Sequence, residues 1–357
     1  VQRQRLRDLG FTIGTLPTGP TNTITDVVGV SVGHCTVVHD EPRVARTGVT
    51  VVHTRAEHER DQLCYGAMHS LNGNGEMTGS HWLAESGLLS GPIAITNTHQ
   101  VGMVRDALVA YEEQRDPDAT WCLPIVGETY DGFLNDIGAF HLTPQHVAAA
   151  LADAERSGGL PAPVAEGNVG GGTGMICHEF KGGIGTSSRV ATTASGAFTV
   201  GALVQANYGR RSLLRLDGRH VGEAIGPDVT PLPHDPAAGD AGSIIVVLAT
   251  DAPLLADQCR RLAQRAGIGL ARVGGFGANS SGDIFCAFAT ANRVPLHADA
   301  PLAVATLPAD HLTPLFLAAA EAVEEAIWNA LCMADTMTGH LGRTVHAIPL
   351  DRLTALR

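Results

Sequence analysis

The stretch Asp240-Ala241-Gly242-Ser243-Ile244-Ile245-Val246-Val247-Leu248-Ala249-Thr250 joins two kinds of chain at a single bond. From Ile244 to Ala249 every residue is apolar and four of the six are β-branched, so this run reads as a strand covered on both faces. Upstream, Asp217 to Gly242 holds five glycines and four prolines (Pro227, Pro231, Pro233, Pro236) with no periodic apolar pattern, and reads as a long structureless loop. Such a loop inside a compact protein is functional or a linker. Further out, Ala197 to Gln205 and Ile284 to Thr290 are also nearly all apolar, and Gly48 to His53 and Pro92 to Thr96 are β-rich runs between turn residues. Helix signals flank them. Thr143-Pro144 supplies N-cap and N1 for Gln145 to Arg156, closed by Gly158-Gly159. Thr313-Pro314 does the same for Leu315 to Met337, stopping at Gly339. A third helix is predicted from Pro253 to Ala266, capped by Asp251 and ended by Gly267. Doubly apolar strands need helices on both sides, so the expected architecture is layered α/β, with helices outside two sheets.

Composition excludes several classes. At 357 residues the chain is one large layered unit or two domains. Apolar residues make up 44% and charged residues 17%, which rules out a disordered or fibrous chain. The net charge of −12 disfavours a nucleic acid or an anionic membrane surface as partner. No apolar run approaches the roughly 20 residues of a membrane helix. The seven cysteines stand singly, without a Cys-x-x-Cys pair, and predict reduced thiols and a cytoplasmic protein. Because the chain begins at Val1, a removed export signal and a periplasmic location stay open. The sixteen histidines show no His-Glu-x-x-His, and the glycine-rich Val169 to Gly174 and Lys181 to Gly185 lack both phosphate-binding patterns. No cofactor or metal is expected, and those glycines read as packing positions near a catalytic loop.

The Gly242-Ser243 bond carries the chemistry. Glycine permits strained backbone angles, and the serine hydroxyl can attack the preceding carbonyl, moving the acyl group from nitrogen to oxygen before water releases it. The product is an N-terminal serine, which owns both a nucleophilic hydroxyl and an α-amine of pKa about 7.7–8.0, suited to act as its general base. A Gly-Ser pair is common, and Gly79-Ser80 is another in this chain; position at a loop–strand junction sets Gly242-Ser243 apart.

Five stretches then resemble one family. They are Asn22 to His34 (NTITDVVGVSVGH), Asn72 to Gly79 (NGNGEMTG), Val126 to Gly132 (VGETYDG), Gly167 to Gly174 (GNVGGGTG) and Gly242-Ser243-Ile244-Ile245-Val246. In this order, over nearly the whole chain, they resemble the DmpA-type L-aminopeptidase/D-esterase family, which includes the β-peptidyl aminopeptidases. The resemblance implies a four-layer αββα sandwich, like that of ornithine acetyltransferase and akin to Ntn-hydrolases. It implies self-cleavage of one αββα domain into an α fragment of residues 1–242 and a β fragment of residues 243–357, and a homo-oligomer of the cleaved units. Ser243 matches the nucleophile. Ser281 and Asp283 match a serine and an acid that poise the nucleophile's amine and hydroxyl; the family's acid is glutamate, and aspartate is one methylene shorter. Asn207 matches an oxyanion-hole side chain, Tyr130 a second donor, and Glu128 the carboxylate that receives the substrate's free amine. The implied substrates are small peptides, amides or esters with α-L, D or β amino acyl groups. An acyltransferase of the same fold, passing the acyl group to an amine, is the alternative, and serine rather than threonine at 243 favours hydrolysis. A non-catalytic, glycine-rich binding protein is a third reading.

Overall fold

The computed structural model describes residues 2–59, 61–115, 122–233 and 242–357. Two sheets form its centre. The first contains β1 (Ser31–His39), β2 (Ala45–His53), β5 (Ile93–Asn97) and β6 (Ile125–Thr129) in the order β1-β2-β5-β6. In chain order the remaining strands include β3 (Gln62–Gly73), β4 (Leu88–Leu89), the small hairpin of β7 (Ile176–Cys177) and β8 (Phe180–Lys181), β9 (Gly183–Thr193) and β10 (Gly196–Asn207). After them come a second small hairpin, β11 (Arg215–Leu216) with β12 (Arg219–His220), then β13 (Gly242–Thr250) and β14 (Ser281–Pro295). The second sheet runs β4-β3-β14-β13-β10-β9.

Three apolar clusters show how the layers stack. Val52, Ile93, Ile95 and Ile125 of the first sheet meet Leu203, Ile245, Val247 and Phe288 of the second, a buried interface between sheets. The helices are α1 (Ser80–Ser86), α2 (Val101–Arg115), α3 (Pro144–Glu155), the single turn α4 (Val221–Ala224), α5 (Ala256–Gln264), α6 (Ala266–Val273), α7 (Thr313–Met333) and α8 (Leu350–Thr354). Val104 and Leu108 of α2 and Val147 and Leu151 of α3 cover Val49, Val51 and Val126 on the outside of the first sheet. Leu262, Leu270 and Ile327, from α5, α6 and α7, cover Val204, Val246 and Phe285 on the outside of the second. This is the αββα sandwich. The helix α7 lies very close to β9: a Cβ at Gly185 would stand 1.9 Å from the Ala326 carbonyl oxygen, so only glycine fits.

The decisive strand behaves as its sequence demands. Every residue of β13 from Ser243 to Thr250 is buried, with antiparallel β10 on one side and parallel β14 on the other. A parallel pair requires a crossover, and α5 with α6 provides it on the outer face.

Four expectations are corrected. The segment from Asp217 is not structureless throughout, because β12 and α4 fold within it and anchor Val221 and Ile225 in the outer core; residues 234–241 lie outside the described residues. The predicted third helix divides into α5 and α6 at Arg265, and Gly267 sits inside α6 rather than ending a helix. Asp251 does not cap it: its carboxylate accepts the Thr199 N–H at 2.7 Å, tying β10 to the end of β13. The last long helix stops at Met333, where Ala334 turns extended (φ −78°, ψ 139°).

Candidate active site

Gly242 and Ser243 open β13, and the ladder fixes what surrounds them. Ser243 is paired with Asn207, the last residue of β10, and with Gly282 of β14. Its hydroxyl donates to the Gly242 carbonyl oxygen at 2.6 Å and accepts the Gly282 N–H at 3.2 Å. The oxygen that would attack is therefore held against the carbonyl of its own peptide bond.

Cross-strand neighbours in a ladder share a face. Asn207 and Ser243 thus lie side by side on the face toward the first sheet. The Asn207 amide is oriented at both ends: its Oδ1 accepts the Ile176 N–H at 2.8 Å and its Nδ2 donates to the Tyr130 carbonyl at 3.1 Å. With Oδ1 occupied by a donor, Nδ2 is the end that offers N–H groups. Ser281 and Asp283 flank Gly282 in sequence, so the same alternation sends them to the opposite face, behind the Ser243 backbone. There Ser281 donates to Asp283 at 2.6 Å. Asp283 is almost fully buried, and burial raises its pKa against the opposing hydrogen bond from Ser281.

Glu128 approaches from the first sheet, on β6. It is 3% exposed, with Oε1 accepting the Glu76 N–H at 3.0 Å and Oε2 accepting the Thr98 hydroxyl. Burial raises its pKa, and these two hydrogen bonds oppose the rise. The Asn72 to Gly79 stretch is what brings β6 and β14 together. Asn72 donates to the Ala278 carbonyl at 2.9 Å, Asn74 donates to that of Ser280 at 2.7 Å, and a Cβ at Gly75 would lie 3.0 Å from Glu128 Oε1 and 3.3 Å from Gly282 Cα. Glycine at 75 lets the carboxylate approach the residue paired with Ser243.

A cavity of about 830 Å³ unites these groups, with Ser243, Asn207, Glu128, Thr98, Tyr130 and Phe133 in its wall. Its volume suits a ligand of a few residues or fewer. Glu76 and Glu179 also line it, while no lysine, arginine or histidine among the described residues does, so the wall favours a cation. Tyr130 is 52% exposed there, and the structure uses its carbonyl, rather than its ring, to hold Asn207. Ser281 and Asp283 stand outside this wall. No motif surrounds Thr98 to announce it, and Ile176 acts through a backbone N–H that no side-chain pattern marks.

A hydroxyl, an oriented amide donor and a buried carboxylate around one pocket match what acyl chemistry on a cationic substrate requires. Residues 22–345 match the family model Peptidase family S58. The chain belongs to peptidase family S58. This S58 chain is 46% identical to the β-peptidyl aminopeptidase BapA of Sphingosinicella microcystinivorans, over 99% of this chain and 91% of that protein. Among solved structures, it superposes on a β-aminopeptidase of Burkholderia sp. with a TM-score of 0.89 and 51% identity, covering 99% and 98% of the two chains. The L-aminopeptidase D-Ala-esterase/amidase of Ochrobactrum anthropi, described as a variant of the Ntn-hydrolase fold, matches with a TM-score of 0.88 and 44% identity over 99% and 97%. Membership makes the protein a hydrolase with aminopeptidase function and an αββα fold related to Ntn-hydrolases.

Proposed function

We propose that this S58 aminopeptidase first cleaves itself between Gly242 and Ser243 and then uses the freed Ser243 to remove amino acyl groups from small peptides, amides or esters. The observation that carries the proposal is the Ser243 hydroxyl, 2.6 Å from the Gly242 carbonyl oxygen at the start of a buried strand. In processing, Oγ bonds to the Gly242 carbonyl carbon, the carbon–nitrogen bond breaks, and the hydroxyl proton ends on the Ser243 nitrogen. Water then hydrolyses the ester, leaving a Gly242 carboxylate and a Ser243 with free amine and hydroxyl. The two fragments, residues 1–242 and 243–357, come from one domain.

In turnover the Ser243 amine takes the proton from Oγ as it attacks the substrate carbonyl. Asn207 Nδ2 stabilises the oxyanion with Tyr130, on the same cavity wall, as a second donor; Ser281 and Asp283 poise the amine and hydroxyl of Ser243, and Glu128 pairs with the substrate's ammonium. Names of the relatives support β-amino acyl and L- or D-amino acyl groups as substrates, and the carboxylate-lined wall supports a free amine in each. The reading includes a homo-oligomer of cleaved units and a cytoplasmic location, the latter supported by seven free cysteines.

Paired substrates test the proposal. A free amino-acid amide should release ammonia with no added acyl acceptor, and its N-acetyl counterpart should not react. Comparable rates would make the enzyme a general amidase, and a strict need for an acceptor amine would make it an acyltransferase.

A further inference from the structure

Lys181 is a lysine that the proposed reaction does not use, and its surroundings are unusual. It lies on β8, its side chain is wholly buried, and among the described residues no carboxylate pairs with it. Its Nζ donates to three backbone carbonyls instead, those of Gly182 at 2.7 Å, Met175 at 2.8 Å and Gly172 at 3.3 Å. Burying an ammonium without an opposite charge is expensive, and burial pushes its pKa down to about 7. A neutral side chain would fill the same space at lower cost, so the position calls for another explanation.

The Met175 carbonyl supplies it. That oxygen and the Ile176 N–H belong to one peptide unit, and the same N–H donates to Asn207 Oδ1 at 2.8 Å. A cation on the oxygen of a peptide draws electron density through it and strengthens its N–H as a donor. A stronger donor on Oδ1 does the same to the side-chain amide, whose Nδ2 faces the developing charge. Chains of hydrogen bonds polarise one another in this way, and most in a site of low dielectric. The same bonds also fix the peptide plane and hence the angle of Asn207.

We propose that Lys181 is a positioning residue of the oxyanion site: its ammonium, held on the Met175 carbonyl, orients and polarises the Ile176 N–H against Asn207. This rests on the reading of Asn207 as the oxyanion donor. Lys181 contacts no substrate, and its effect passes through one peptide and one amide.

Lys181→Met, Lys181→Gln, Asn207→Ala and the two double variants test this, with kinetics measured on the self-processed enzyme, Tm recorded, and affinity measured for an amino-acid aldehyde that adds to the nucleophile. The expected loss in kcat is roughly tenfold for either Lys181 variant, below the ~10²-fold expected for deleting the donor itself, with KM changed less than about twofold. Aldehyde affinity should fall by the same factor as kcat. In the Asn207→Ala background the Lys181 substitutions should cost nothing more. Losses that multiply across the two sites, or an unchanged kcat, would overturn the inference, since a merely structural lysine lowers Tm without coupling to Asn207. If Lys181→Met does not fold or process, Lys181→Gln, which keeps a neutral donor, carries the test. If Asn207→Ala alone leaves kcat intact, the oxyanion reading has failed instead.

Discussion

In the proposed reaction Asn207 serves as the oxyanion donor, and the structure holds it at both ends. One donor fills its amide oxygen and one carbonyl binds its nitrogen, so the amide does not have to reorganise when charge appears beside it. Asn207→Ala should lower kcat about 10²-fold with a smaller change in KM, measured by steady-state kinetics, the signature of a contact made in the transition state. Glu128 is a different kind of residue. Desolvated and held by Glu76 and Thr98, it awaits a cation. Glu128→Gln should raise KM for substrates with a free amine and leave simple esters that lack one unaffected; equal effects on both would place its role in folding.

The parallel pair of β13 and β14 is the element on which the site depends. Its register sets Ser243 beside Gly282 and puts Ser281 and Asp283 one residue to either side, on the far face. In the proposed scheme self-cleavage and turnover share the same nucleophile and the same neighbours. Alanine at Ser281 or at Asp283 should slow both steps, followed as the rate of processing in time-resolved mass spectra and as specific activity of the processed enzyme; lower stability with normal specific activity would assign the pair to packing. Much of this element is legible in the sequence, because Ile244 to Ala249 has no polar residue to face solvent. The strand β9 is not. Thr186, Ser187, Ser188 and Arg189 are all buried there, although polar residues ordinarily face solvent, since their partners come from distant segments: Thr186 N–H binds Glu166, Ser188 binds Asp26, and Arg189 binds α7. Periodicity reports burial against apolar surface and is silent about burial compensated by polar pairing. Ser243 is legible from its place at a loop–strand junction, whereas the roles proposed for Asn207 and Glu128 are legible only through family motifs, because turn chemistry alone gives a lone asparagine no chemical role.

At the scale of the whole molecule, one buried network spans the two fragments that cleavage would create. Arg189, in the fragment of residues 1–242, binds Glu321 at 3.2 Å and Glu325 at 2.6 Å, both in the fragment of residues 243–357, and all three side chains are essentially without exposure. Arg7 and Asn22 complete it, donating to Glu325 at 2.8 and 2.6 Å. Burial alone would raise the pKa of Glu325, but Arg189 and Arg7 outweigh it and hold the carboxylate below its usual range. The folded value thus lies below the unfolded one, about 4.3, so this contribution is complete above that pH and is lost as pH falls through the folded value. Acid should loosen the association of the two fragments, read as Tm against pH. Arg189→Met, by leaving buried Glu321 without its ion pair and Glu325 with Arg7 alone, should cost about 3–5 kcal/mol at neutral pH. A flat acid profile, or a Tm unmoved by the substitution, would show that this network does not hold the fragments together. The layered core supports the same design: each sheet is covered on both faces, so breaking one bond at the start of β13 leaves every layer in contact.

Self-processing at Gly242-Ser243 stands or falls on the denaturing mass of the purified, active protein beside that of Ser243→Ala. Two species are expected from the active enzyme, matching residues 1–242 and 243–357, and one uncut, inactive chain from the variant. A single full-length species in fully active enzyme would refute it.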